Sequence, residues 1–398
     1  MVRRASGIAT TAIVAAGIAA FGLSAVRLAI ACPFCQGGSQ TLTKESEQAA
    51  IILFGRLANA KLDPNDPNTG TTELIIETVV KPHESIAGKQ TITLPRYIVP
   101  DKDTRVLVFC DFYQGKIDPY RCLGVRADSP IASYLKGALA VKDKDAATRL
   151  RFFLNYLEDK DPEVSGDAYN EFGLTEYKEF RPVAEKAPAD LVAKWITDPN
   201  TAPIRLGLYG SILGHCGKPE HAKLLRRMLE ESQGRSASGI DGLLAGYIML
   251  DPKEGWAYLQ SILTDEKRDF LLRYAVLRTA RFFRDYRPDV IQPDAVADAV
   301  AALLDQKDIA DMAVEELRKW GEWRFSDRIF ALFSRPGFQE RIIRRAILRY
   351  ALSCPPGDAR AAEFIAARKK EDAQWVDEVA ELLRYESPRP DAPPAAKK

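Results

Sequence analysis

The chain has 398 residues, 46% hydrophobic and 28% charged, with a formal net charge of +1. That length exceeds one ordinary hydrophobic core, so two units or a repeat array are expected. The near-neutral balance excludes a global electrostatic footprint for nucleic acid or for an anionic membrane surface.

The N-terminus reads as an export signal. Arg3 and Arg4 precede an uncharged, mostly apolar run of 19 residues, 8–26, and Ala29-Ile30-Ala31 supplies a small-x-small cleavage pattern. Three fates of residues 1–31 stay open. Cleavage after Ala31 makes Cys32 the first mature residue; the run is long enough to remain as a membrane anchor; or Cys32 carries a lipid. Each fate places the folded part outside the cytoplasm, in the periplasm or cell envelope.

Four of the six cysteines (Cys32, Cys35, Cys110, Cys122) lie near the start of the mature chain. An even, clustered set in an exported chain reads as a disulfide framework. Cys110 and Cys122 lie symmetrically about Lys116, so they are expected to face each other across a hairpin. Bridges from Cys32 and Cys35 to that hairpin would close the longest loops and stabilise most, although spacing does not choose the pairing.

Residues 32–127 carry β signals. Segments 50–55, 72–81, 90–94, 105–112 and 120–125 are apolar or alternating, with a turn at Gln114-Gly115-Lys116. Short strands this closely spaced predict a small closed barrel or sandwich. The pieces Cys32-Pro33-Phe34-Cys35, the strand at 51–57, and Val79-Val80-Lys81 with Gly88 make the segment resemble netrin-like domains, including the tissue inhibitors of metalloproteinases. The resemblance implies an OB-like barrel and a protease-inhibitor or enzyme-accessory role. In that family the amine and carbonyl of the N-terminal cysteine, here Cys32, chelate the protease zinc. The inhibitors carry Cys-x-Cys where this chain has Cys-x-x-Cys, which shifts the second anchor. Cys-Pro-Phe-Cys also looks like a glutaredoxin-type motif, which implies a thiol-disulfide oxidoreductase using Cys32 and Cys35. Such motifs need a strand before them and a helix N-terminus after them to lower the thiol pKa, and neither signal is present here.

From Ser129 the apolar period becomes 3.6, with Pro and Asp punctuation, through residues 128–386. Helices are expected at 146–157 and 161–172, 188–196 and 203–215, 219–231 and 236–250, and 253–263 and 268–283. Further pairs follow at 293–304 and 309–320, 325–333 and 338–352, and 358–369 and 373–384. Asp161-Pro162-Glu163-Val164 and Asp198-Pro199, with the helices that follow them, resemble HEAT repeats. The resemblance implies an α-solenoid with a curved binding face. The expected fold is therefore multidomain: a small all-β domain, then an all-α solenoid, then a disordered Pro/Ala/Lys tail at 387–398.

The second helices are arginine-rich. Residues 267–287 hold seven basic and two acidic side chains, including Arg273, Arg278 and Arg281. Arg341, Arg345 and Arg349 recur every four residues and so share one helix face. Together these form a candidate basic groove for an acidic protein, opposed by the plainer reading of a solvated face laced with salt bridges. His83, His215 and His221 are too dispersed for a metal site, and Trp320 and Trp323 read as core between repeats. The chain lacks Gly-x-Ser-x-Gly, Walker-type, Gly-x-Gly-x-x-Gly and His-Glu-x-x-His patterns. The expected function is a non-enzymatic envelope scaffold with no cofactor, no metal and no nucleic-acid partner, which binds a protein along its concave face.

Overall fold

Alternating apolar runs early in the chain and helical periodicity later produce an antiparallel sheet followed by a mostly helical region. The computed structural model describes residues 34, 40–231 and 238–386. The signal segment, Cys32, Cys35 and the C-terminal tail lie outside these residues. Among the described residues, no helix is long and apolar enough to cross a membrane.

Helix α1 (Leu42–Gln48) comes first, then strands β1 (Ile51–Asp63), β2 (Asp66–Lys81), β3 (Thr91–Leu94), β4 (Thr104–Tyr113) and β5 (Lys116–Arg126). All pairings are antiparallel, in the order β3-β2-β1-β4-β5. All five strand segments expected from the sequence are present. β3 and β5 are the two edges of this order, so the pairing that would close a barrel is not made. The β4–β5 turn places Gln114 at φ 49° and Gly115 at φ 76°. Two consecutive positive φ angles match the twist of a two-residue hairpin.

The central strands read as continuous apolar runs because both sheet faces are covered. Ile51, Leu53, Leu74, Val106, Val108 and Cys110 form one buried cluster on one face. Ile52, Phe54, Leu107 and Phe109, on the other face, belong to the main core that runs on through the helices. Sheet and helices thus lie in one compact unit.

The helical region contains α2 (Ile131–Val141), α3 (Ala146–Leu154), α4 (Pro162–Gly173), α5 (Tyr177–Ala184), α6 (Ala189–Thr197), α7 (Pro203–Cys216), α8 (Pro219–Glu231) and α9 (Ile240–Leu250). It continues with α10 (Pro252–Leu263), α11 (Phe270–Tyr286), α12 (Pro293–Ala301), α13 (Ala310–Trp320), α14 (Ser326–Leu332), α15 (Arg341–Ser353), α16 (Ala359–Glu371) and α17 (Ala373–Arg384). The Asp punctuation does what its chemistry suggests. The side chains of Asp145, Asp161, Asp251, Asp269, Asp358 and Asp372 each accept a first-turn backbone N–H. Pro162, Pro203, Pro252 and Pro293 open their helices, where a missing N–H does no harm. Sequence reasoning missed α1, α2 and α5; α5 carries Pro182 inside it, which reads as a breaker.

Glycine sets the closest helix pair. α7 carries Gly207, Gly210 and Gly214, and the segment ending in α9 repeats that spacing with Gly239, Gly242 and Gly246. A Cβ at Gly242 would sit 1.9 Å from the Gly207 carbonyl oxygen, and one at Gly246 would sit 2.1 Å from that of Gly210. The two backbones touch, and any side chain would force them apart. Gly242→Ala is therefore expected to lower stability by about 3 kcal/mol. Gly166→Ala, inside α4 with nothing within 4 Å of a new Cβ, should instead raise it by about 0.5–1 kcal/mol. Urea unfolding of both variants checks the pair, and a neutral Gly242→Ala would refute the backbone contact.

Candidate functional site

The cysteines of the sheet do not meet as the sequence spacing suggested. Cys110 pairs with Pro119 and Cys122 with Val108, because the hairpin turns at Gln114-Gly115, with Tyr113 opposite Lys116, rather than about Lys116. The two lie diagonally on one apolar face rather than opposite each other. Both are free thiols. Burial pushes Cys110 up to about 12 and raises Cys122, so neither offers a thiolate at neutral pH. Cys32 and Cys35 lie outside the described residues.

The arginines divide into two groups. Arg273 is 3% exposed and donates to Asp308 Oδ1 at 3.0 Å and to the Gln306 side chain at 2.5 Å. Arg278 pairs with buried Asp241 at 2.8 Å, and Arg281 forks onto Glu316 at 2.7 and 3.0 Å. Arg349 holds Glu315 at 2.6 Å and Glu386 at 2.8 Å. Carboxylates about one helix pair away in sequence therefore neutralise these four guanidiniums. Arg341 and Arg345 are different: both are exposed, and among the described residues no ion pair is found for either. Ile342 between them is 50% exposed. Arg344, on the same helix, lies over the Phe333 ring at 4.8 Å.

Sequence reasoning missed the polar joint between the sheet unit and the helices. Asp167 on α4 accepts from Leu42 N at 2.5 Å, Thr43 N at 3.2 Å, Thr43 Oγ1 at 2.6 Å and the Tyr134 hydroxyl at 2.8 Å. Glu171, one turn on, accepts from Thr41 Oγ1 at 2.5 Å. Burial raises the pKa of both carboxyls despite these donors. At the other end of α1, Lys81 Nζ donates to the carbonyls of Ser46, Glu47 and Ala49 at 3.0, 2.8 and 2.5 Å. Thr41-x-Thr43 and Asp167-x-x-x-Glu171 are common patterns, and nothing local in the sequence links them.

It also missed an aromatic nest. Phe34 is 3% exposed, with its ring 4.7 Å from that of Phe282 on α11. Its carbonyl oxygen lies 3.1 Å from where a Cβ of Gly207 would be. Phe282 also meets Tyr177 at 5.3 Å and Tyr286 at 5.9 Å. Tyr177 bonds His215 Nε2 at 2.8 Å, while His215 Nδ1 faces the Ser211 carbonyl at 2.7 Å. The carbonyl fixes the proton on Nδ1, so Nε2 accepts from the tyrosine hydroxyl. The other two histidines sit elsewhere: His83 meets the Phe112 ring at 4.6 Å in a tilted arrangement, and His221 Nδ1 accepts from Lys218 N at 3.0 Å. Among the described residues, no group of three or more His, Cys, Asp or Glu is placed to hold a metal ion.

The chain matches no protein-family model, no curated protein and no solved structure.

Burial pushes His215 down to about 4 from an ordinary 6.5. The unfolded chain thus takes up this proton first. The stability contributed by the neutral imidazole is present above about pH 6.5 and is lost as pH falls toward 4. His215→Gln removes that term. Between pH 7 and pH 4 the natural protein should lose roughly 3 kcal/mol more than the variant, read by denaturant unfolding at each pH. Parallel losses would show that His215 is not held neutral.

Proposed function

We propose that the protein is an exported scaffold of the cell envelope that binds an acidic protein partner at the Arg341–Ile342–Arg345 surface of α15. The observation that carries this reading is the contrast among the arginines. Arg273, Arg278, Arg281 and Arg349 are tied down by carboxylates, whereas Arg341 and Arg345 stand exposed around a half-exposed isoleucine. Two unscreened guanidiniums flanking an apolar side chain suit a partner that presents carboxylates around an apolar anchor.

The fold details support a scaffold. The second helices of the pairs, α4, α7, α9, α11, α13, α15 and α17, begin at residues 162, 203, 240, 270, 310, 341 and 373. Side chains reach one repeat onward: Tyr169 to the Ile204 carbonyl, Arg273 to Asp308, Arg281 to Glu316 and Arg318 to Ser353. This is the nearest-neighbour wiring that a HEAT-like solenoid requires. The strand order with edges β3 and β5 fits a partly open barrel of OB type. The export reading rests on the N-terminal 31 residues and their cleavage pattern. The near-zero net charge gives no general pull toward nucleic acid.

A photo-reactive amino acid at Ile342, installed in the native host, is expected to cross-link one predominant envelope protein. Arg341→Glu with Arg345→Glu should reduce that adduct at least tenfold while leaving stability within about 0.5 kcal/mol, because neither side chain is buried. Arg349→Glu should instead destabilise the fold, since it faces Glu315 and Glu386. An adduct that survives the double charge reversal would remove this surface from consideration.

A further inference from the structure

We propose that Phe34 and residues 41–43 act together as a clamp that fixes the relative placement of helices α4 and α11. It has two anchors. Phe34 is sunk between α7 and α11, and Thr41, Leu42 and Thr43 are bonded to the buried carboxylates of α4.

In a stack of helix pairs each layer packs on its neighbours, so small errors in angle accumulate along the array. α4, α7, α9 and α11 are successive second helices, and the first and last of them are three steps apart. Phe34 and Thr41 are only seven residues apart in the chain, yet they grip partners as distant as Glu171 and Phe282. A segment of that length spans at most about 25 Å. It therefore limits how far α4 and α11 can move apart.

Each anchor is built to resist release. Phe34 is buried against an aromatic side chain and a glycine whose missing Cβ leaves room for its carbonyl. Releasing it would expose a full phenyl ring to water. Releasing Thr43 would leave Asp167 buried with lost donors, which the interior penalises strongly. Phe34 meets the two helices with different parts: its carbonyl lies against Gly207 on α7 and its ring against Phe282 on α11. The clamp rests on the stacked arrangement described above and does not depend on the binding role of α15.

Spin labels carried by unnatural amino acids in place of Glu163 on α4 and Leu271 on α11, both exposed, test it in the full-length chain. A second pair, in place of Lys319 on α13 and Glu381 on α17, reports on layers the clamp does not touch. The unsubstituted background should give a narrow distance distribution for both pairs. Phe34→Ala should broaden the first and shift its mean by more than its native width, with the second unchanged and the melting temperature lowered by about 5 °C. An unchanged first distribution, or equal broadening of both, overturns the clamp. A broad first distribution in the background chain would sink the stacked arrangement itself. Should Phe34→Ala fail to fold, Phe34→Leu and Thr43→Val are read by the same criteria: each must loosen the first pair alone.

Discussion

One buried carboxylate, Asp167, gathers most of the polar contacts that tie α1 to the helices. Asp167 takes two backbone N–H groups, a threonine hydroxyl and a tyrosine hydroxyl, and no cation is bonded to it among the described residues. Its pKa is raised, so desolvation outweighs the four donors. The sign then follows: a carboxyl whose folded pKa lies above its unfolded value stabilises most when protonated, and that contribution fades as pH rises through the folded pKa. At neutral pH the ionised Asp167 therefore contributes less stability than its protonated form would. What it supplies is placement. Only one orientation of α1 presents Leu42 N, Thr43 N and Thr43 Oγ1 to the same two oxygens, and Lys81 fixes the opposite end of that helix. With α1 oriented, β1 follows two residues later and the sheet is laid against the helices.

Further along, two devices with different reach share the work of stacking. The glycine seam of α7 and α9 acts at backbone contact, where dispersion is dense and a single methyl group is intolerable. The arginine ladder acts at the length of an extended side chain, from one helix pair to the next. Arg273 and Arg281, on one helix, hold Asp308 and Glu316, whose spacing of eight residues matches their own. Asp308 stands in the turn before α13 and Glu316 lies on that helix, so a slip of α11 by one turn would break both pairs together. Isolated surface pairs contribute little, but Arg273 and Glu316 are buried, so losing one partner would strand a charge. The ladder thus penalises wrong registers more than it rewards the right one.

The sequence carried the elements better than their connections. Strand segments and most helices were legible because alternation, Asp caps and opening prolines are local signals, and the observed ends differ from the expected ones by a few residues at most of them. α5 was hidden by Pro182, and α1 by its brevity. The glycine seam had a visible trace, since residues 207, 210 and 214 recur at 239, 242 and 246 with one offset. That trace has meaning only once α7 and α9 are known to be neighbours. Barrel closure was not legible for a different reason: strand count does not determine whether the two edges meet. Arg349 looked equivalent to Arg341 and Arg345 on a helical wheel. It differs because Glu315 and Glu386 converge on it from elements 34 and 37 residues away.

This last distinction bears on what a charged stripe on a helix means. When every arginine of a stripe is free, the stripe is a polyanion surface, with affinity that rises with the number of charges and falls steeply with salt. When most are internally paired, the residual field is local, and the chain can stay near electroneutral while still offering a cationic spot. A partner that recognises two guanidiniums around Ile342 must place its carboxylates to within the reach of those side chains, so selectivity comes from geometry more than from total charge. Under the binding role proposed for α15, the internal pairs would serve indirectly, by withholding competing cations from the same partner.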